Sequence, residues 1–455
     1  MKICYNVEDL LRARKRLGVG FLLGIFAFCL GARTLVAGSL PAFEAYFADS
    51  KLGKVESQES QHFKVSWINP QDGILAGPML LYMEAAYESL LPKFSKVALK
   101  NQKAPLEIFP DLKSFSEVSG LSLSRFRATG TIALTLDQRL MILSPRNLAK
   151  GYPWAETAVH EFIHFMIRRI SFENVPIWLH EGTAQIFQGY PYQKEMRLDP
   201  SQWGLFKKRR AANKLLDLKT LQEPFPYRET PEEAELAYIQ ALLFANWLDT
   251  QCGVIKLIEW SGSLKSVDRA LEKCTGKAST ILAQEFSEKI MPGIQVPKGS
   301  DVEFYARDFS SDDPIEAEGK KTDQKSRNLA TLANELFKQG RYRSSSMEME
   351  KALVSTPVAP PSWRQQLGIS LMRSSKPKES QMVLRRLLKD YPREASAYFL
   401  LATQELERSE LEKAWPLLVQ SFFVNPFLDG LSEKMAVIQE RKPKLAKDFV
   451  LHPLD

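Results

Sequence analysis

Three of the five histidines in this 455-residue chain stand close together. The window reads HEFIHFMIRRISFENVPIWLHEG, from His160 to Gly182. His160 and His164 are four residues apart, Glu161 follows the first, and His180 precedes Glu181. The pattern from Trp154 to Ile170 predicts a helix, with Pro153 near its start. On a helix, positions i and i+4 share one face. Two imidazoles then point at a common centre, as Zn2+ requires. Glu161 lies about 100° round that helix and need not be a ligand. Its position suits it to take a proton from a water at the metal. An isolated H-E-x-x-H also arises by chance, on ordinary helix surfaces, so the further ligand decides.

A catalytic zinc site needs a third protein ligand and an open fourth position. Ile167 and Ile170 stand where H-E-x-x-H-x-x-G-x-x-H would need Gly and His, and no H-x-x-E-H order occurs. The other source is a glutamate on a following helix. Asn174-Val175-Pro176 starts a new element, with Pro176 as a first-turn residue. Trp178 and Leu179 are expected to pack that element on the first helix, and Glu181 follows 17 residues after His164. Gly182 lets two helices approach closely beside the metal. His180 points about 100° away from Glu181 and reads as a neighbour of the site, a surface group or an alternative ligand. Gln185, one turn after Glu181, either bonds a ligand histidine or faces solvent. His62 and His452 receive no role.

HEFIH followed by PIWLHEGTA resembles the gluzincin metallopeptidases, nearest to their peptidase-MA-like secreted branch, whose pattern is H-E-x-x-H then P-x-W-x-x-E-G. The resemblance covers about residues 60–290 and is strong in 154–190. It implies His160, His164 and Glu181 as zinc ligands and Glu161 as general base. It implies a thermolysin-like zincin fold, with a small sheet over the active-site helix and a helical lower half. A weaker likeness around Tyr238-Ile239-Gln240-Ala241 implies Tyr238 as a donor to the developing oxyanion. The G-x-M-E-N strand of the aminopeptidases is missing, so an endopeptidase is expected. Substrate would join a sheet edge as an added strand, and Arg139–Leu143 is the expected edge.

The elements that must hold this site read as α+β, strands first and helices after. His62–Ile68 and Pro105–Phe109 read as strands, and Gly77–Ser95 as an amphipathic helix. Thr131–Leu136 and Arg139–Leu143 flank Asp137-Gln138 as a hairpin. Residues 39–292 are expected to form the catalytic domain, and 293–325, rich in Pro, Gly, Ser, Asp and Lys, a linker. Beyond it Pro357, Pro392 and Pro426 recur at spacings of 35 and 34 residues. A period of about 34 with two helices per unit resembles the tetratricopeptide repeat. Leu332-Ala333, Leu367-Gly368 and Leu401-Ala402 fall at its paired positions, and Ala352, Leu387 and Ser421 at its small or apolar slot. An all-α repeat domain over 326–455 is expected, capped by 431–447 with Met435, Val437 and Ile438 facing inward. Such repeats would dock a protein partner or substrate.

Residues 1–38 carry Arg12, Arg14, Lys15 and Arg16 before an uncharged run from Leu17 to Ala32. That is a signal peptide or an N-terminal anchor, and either delivers the remainder across the membrane to a periplasmic or extracellular side. The leader holds +4 of the +7 net charge, and no basic stripe with interleaved aromatics suits nucleic acid. Cys252 and Cys274, left after the leader, form either one bridge or two buried thiols. Two functions remain: an exported zinc metallopeptidase, or an idle zincin domain on an envelope scaffold that binds proteins through its repeats.

Overall fold

The computed structural model describes residues 42–447, apart from 49, 95–98, 100–101, 137, 172–173, 193–197, 224, 226–227, 307–312 and 357–358. The leader 1–38, with Cys4 and Cys29, lies outside the described residues, as do His452, Asp137 of the hairpin turn and Pro357 of the repeat.

Five strands form one mixed sheet: β1 (Glu56–Glu59), β2 (Phe63–Trp67), β3 (Ala104–Phe109), β4 (Ala133–Leu136) and β5 (Arg139–Leu143), in the order β1-β2-β3-β5-β4. β2, β3 and β5 run parallel, and the two outer strands are antiparallel to their neighbours. Alternation in HFKVSW buries Phe63, Val65 and Trp67 on the covered face. Helix α1 (Ala76–Leu90) makes the crossover from β2 to β3 that parallel strands require. Helices α2 (Leu112–Ser119) and α3 (Leu123–Thr129) lead from β3 into the β4–β5 hairpin.

The hairpin corrects one expectation. Arg139–Leu143 is not an edge. Its Leu140 and Ile142 pair with Leu106 and Ile108 of β3, so β4 is pushed to the outside. Ala133–Leu136 is therefore the outermost strand on that side of the sheet.

Helix α4 (Trp154–Ser171) lies against β4, β5 and α1. Glu156 in its first turn and Arg168 and Arg169 in its last complement the helix dipole. Below it come α5 (Ile177–Phe187), α6 (Pro200–Ala211), α7 (Pro231–Cys252), α8 (Val254–Leu264), α9 (Val267–Thr275) and α10 (Ser279–Glu285). Thr230 caps α7 by accepting from the Glu233 amide, with Pro231 at the first helical position. Cys252 and Cys274 are bridged, tying the end of α7 to α9 across a separation of 22 residues. A loop of that size is worth ~3 kcal/mol.

From Pro314 onward the chain is helical: α11 (Pro314–Gly319), then the pairs α12 (Gln324–Lys338) with α13 (Tyr342–Ser355), α14 (Pro361–Arg373) with α15 (Pro377–Asp390), α16 (Ala395–Glu407) with α17 (Leu411–Val424), and α18 (Leu431–Arg441). One hydrogen bond recurs with the period. Ser345 Oγ donates to the Ala333 carbonyl and Ser380 Oγ, 35 residues on, to the Gly368 carbonyl, both at 2.8 Å. Ala352, Leu387 and Ser421 are buried, as are Ala333, Leu367, Leu401 and Ala402, whereas Leu332 is exposed. In α18 Met435 and Ile438 are buried but Val437 is exposed. It stands about 200° round the helix from Met435, off the inner face.

Helix α11 sits across α12 and α14. Trp363 Nε1 donates to the Ile315 carbonyl at 3.0 Å, the Ser362 amide to Glu318 at 2.8 Å, and Asn334 to Asp313 at 3.0 Å. The last pair packs on the sheet-bearing half. Trp154, at the head of α4, stacks on Phe423 at 5.2 Å and donates to the Phe422 carbonyl at 3.0 Å. The Tyr152 amide donates to the Val424 carbonyl. Gly151, at φ +63, comes so close that a Cβ would collide with the Val424 carbonyl. Buried residues of α16–α18 belong to the same apolar core as the sheet and α4. No helix of the described residues is long and apolar enough to cross a membrane.

Candidate metal centre

Helix α4 carries His160 and His164 on one face, and α5 brings Glu181 to the same point. His160 Nε2 and His164 Nε2 lie 3.0 Å apart. Glu181 Oε2 lies 3.3 Å from the first and 3.5 Å from the second. All three side chains are at most 3% exposed. Ligand atoms about 2.0–2.1 Å from a tetrahedral zinc stand roughly 3.3–3.4 Å from one another, so this triangle has the size of three corners of such a site. Two imidazole nitrogens and a carboxylate oxygen are also the donor set that zinc takes. The residues therefore fit the ion. Among the described residues, this is a cluster of metal-ligating side chains with no exposed member.

Electrostatics favour ligation. Burial, and then the neighbouring His160, His180 and Arg168, hold the His164 imidazole well below its ordinary pKa. A metal ligand must be the neutral ring. The other nitrogen of His160, Nδ1, lies 2.8 Å from Gln188 Oε1. That bond fixes the tautomer with the proton on Nδ1 and leaves Nε2 bare. His164 Nδ1 lies 3.4 Å from His180 Nδ1, so His180 adjoins the cluster without joining the ligand triangle.

Glu161 is fully buried beside the triangle. Thr135 of the edge strand β4 reaches it: the hydroxyl oxygen lies 2.8 Å from Glu161 Oε2 and 2.7 Å from the Glu161 carbonyl. The edge strand and the acid are thus directly linked.

Helix α5 is held mainly by α7. Trp178 packs on Phe244 of α7 at 4.8 Å. Helix α7 thus gives Trp178 an aromatic surface. Gly182 permits the close approach, but toward α7: a Cβ there would collide with the Ala241 carbonyl and the Ala245 methyl. Gln185 is buried rather than solvent-facing, and Nε2 donates to the carbonyls of Tyr238 at 3.0 Å and Glu181 at 3.4 Å. It fastens α7 to α5 instead of bonding a ligand ring. Tyr238 is buried on α7, with its ring edge-on to Phe225 at 4.9 Å.

Sequence reasoning missed Gln188 and Thr135. Gln188 follows Glu181 by seven residues, two helical turns on the same face, and that spacing was a usable signal. No local pattern marks Thr135, which reaches Glu161 only through the sheet.

Residues 92–285 match the profile of the family described as the peptidase MA superfamily. The chain carries a gluzincin-type metallopeptidase domain of the peptidase MA clan, with a candidate His-His-Glu metal site. No curated protein matches the chain. The matched stretch begins after α1 and ends at α10, so it contains β3–β5, α4, α5 and α7 but neither β1, β2 nor the C-terminal helices.

Proposed function

We propose that this chain is an exported zinc-dependent endopeptidase whose repeat region helps to dock a protein substrate or partner. The observation that carries the proposal is the buried triangle of His160 Nε2, His164 Nε2 and Glu181 Oε2, with edges of 3.0, 3.3 and 3.5 Å. These three residues would hold the ion. Zinc bound there supplies Lewis acidity toward a peptide carbonyl and a water that loses its proton near neutral pH.

The chain's own groups do the remainder. Glu161 accepts the proton of the attacking water and returns it to the leaving amine. Thr135 holds that carboxylate in place. Tyr238 donates to the oxyanion, a role supported by the family resemblance and by its position on the helix that backs Glu181. Substrate backbone runs beside β4, the outermost strand on this side of the sheet, whose Thr135 touches Glu161, so a bound strand passes the acid. Export is supported by the leader pattern and by the Cys252–Cys274 bridge, which suits an oxidising compartment. The period-35 hydrogen bonds support a tetratricopeptide-like geometry.

Glu161→Gln is the direct test. A peptide-library digest should lose about 10²–10⁴-fold in rate while zinc content stays unchanged. Undiminished cleavage by that variant would contradict the mechanism, and zinc bound with no cleavage by the wild-type chain would favour an idle scaffold.

A further inference from the structure

Helix α5 and its C-terminal cap bring three polar side chains to the two histidines of α4, and one of the three completes the ligand triangle. Glu181 is that third corner. Gln188, at the cap, meets Nδ1 of His160 at 2.8 Å. His180, next to Glu181 in the first turns of α5, meets Nδ1 of His164 at 3.4 Å, with ring centroids 5.6 Å apart. The two helices set this pairing: four residues forward along α4, from His160 to His164, match eight residues back along α5, from Gln188 to His180.

The chemistry of an imidazole gives the His164–His180 contact a direction. A neutral ring has one N–H and one bare nitrogen. Nε2 of His164 is turned into the triangle, 3.0 Å from Nε2 of His160 and 3.5 Å from Glu181. With that nitrogen bare for an ion, the proton of the ring belongs on Nδ1. His164 is 3% exposed, and a buried N–H requires an acceptor. Among the described residues, that acceptor is His180 Nδ1. A histidine accepts at Nδ1 only in the tautomer that carries its own proton on Nε2. One hydrogen bond thus fixes two rings: His164 with Nε2 bare, and His180 with no bare nitrogen left for a metal. His180 then acts on the site through His164 and not as a ligand.

We infer that His180 is a positioning residue for His164: it accepts the Nδ1–H and so holds the ring with Nε2 on the ion. Helix α5 and its cap then supply one ligand and orient the other two. The inference rests on the zinc reading of the triangle, and the comparison of variants separates the two.

The full chain, stripped of metal, is titrated with zinc against a competing chelator as wild type, His180→Leu and His180→Asn. Leucine and asparagine side chains have nearly the same shape, but only asparagine offers an acceptor oxygen near the place of Nδ1. His180→Leu should bind zinc about 10–100-fold more weakly than wild type, and His180→Asn within about three-fold of it. Melting temperatures of the metal-free chains show that both variants are folded. Wild-type affinity in His180→Leu would overturn the inference, because His164 would then be oriented without this acceptor. Equal weakening in both variants would also overturn it, because the bulk of the ring and not its nitrogen would be at work. Either result in a chain whose wild type binds zinc leaves the metal centre standing. A wild-type chain that takes up no zinc would sink the centre and this role with it.

Discussion

His160 does two jobs with one ring. Nε2 joins the ligand triangle, and Nδ1 lies 2.8 Å from Gln188 Oε1. Without the glutamine the ring can rotate and take either tautomer, and the free ligand pays that cost on binding metal. Gln188→Ala should therefore weaken zinc affinity about 10–100-fold in a chelator competition while the fold is kept. Unchanged affinity would show that packing alone orients His160. His160, Glu161 and His164 stand out because helical periodicity converts intervals of one and four into geometry, and Glu181 because the P-x-W-x-x-E-G pattern marks it on the next helix. Gln188 obeys the same rule but has no distinctive motif. Thr135 obeys no local rule, since only the turn of the β4–β5 hairpin brings it above Glu161.

At the scale of elements, the sheet contains a buried acid. Glu107 lies on β3, 4% exposed, opposite Met141 of β5. Burial raises its pKa from 4.5 to about 7, against the pull of Arg139, whose Nη1 lies 3.3 Å away. Between those values the folded chain keeps a proton that the unfolded chain has released. Stability therefore falls as pH rises from about 4.5 to about 7, and the loss persists above that. A shift of this size corresponds to about 3 kcal/mol. Urea melts at pH 5 and pH 8 should show that slope in the wild-type chain and a flatter one in Glu107→Gln. Equal slopes would mean that Glu107 is charged throughout. The strands and helices around it were largely legible, because alternation in HFKVSW and PLEIF and the period in 154–170 record which faces are buried. Strand β1 was not, since all four residues of ESQE are exposed and no apolar pattern marks them. Strand order was not legible either. Which member of a hairpin lies inside depends on pairing with β3, a long-range choice that local pattern does not encode.

Across the whole molecule, the C-terminal helices and the helix that carries His160 and His164 share one core. Phe423 stacks on Trp154 at 5.2 Å and packs near Tyr82 at 5.6 Å, so it spans the two halves. Phe423→Ala should cost about 3–5 kcal/mol, and it should lower the unfolding of the peptidase-MA half together with that of the repeats. Calorimetry that moved only a repeat transition would show two independent units. Sequence periodicity pointed to an all-helical C-terminal region, but not to the buttressing of its α16–α17 pair against the head of α4. That contact depends on Gly151 and on aromatic faces about 270 residues apart. The proposed zinc centre is where these elements converge. The most direct measurement is metal analysis of the purified chain beside its Glu181→Ala variant, with circular dichroism to show that both are folded. About one zinc per wild-type chain and a loss of most of it in the variant are expected. A folded wild-type chain that takes up no zinc, or a variant that holds it equally well, would contradict the His160–His164–Glu181 centre.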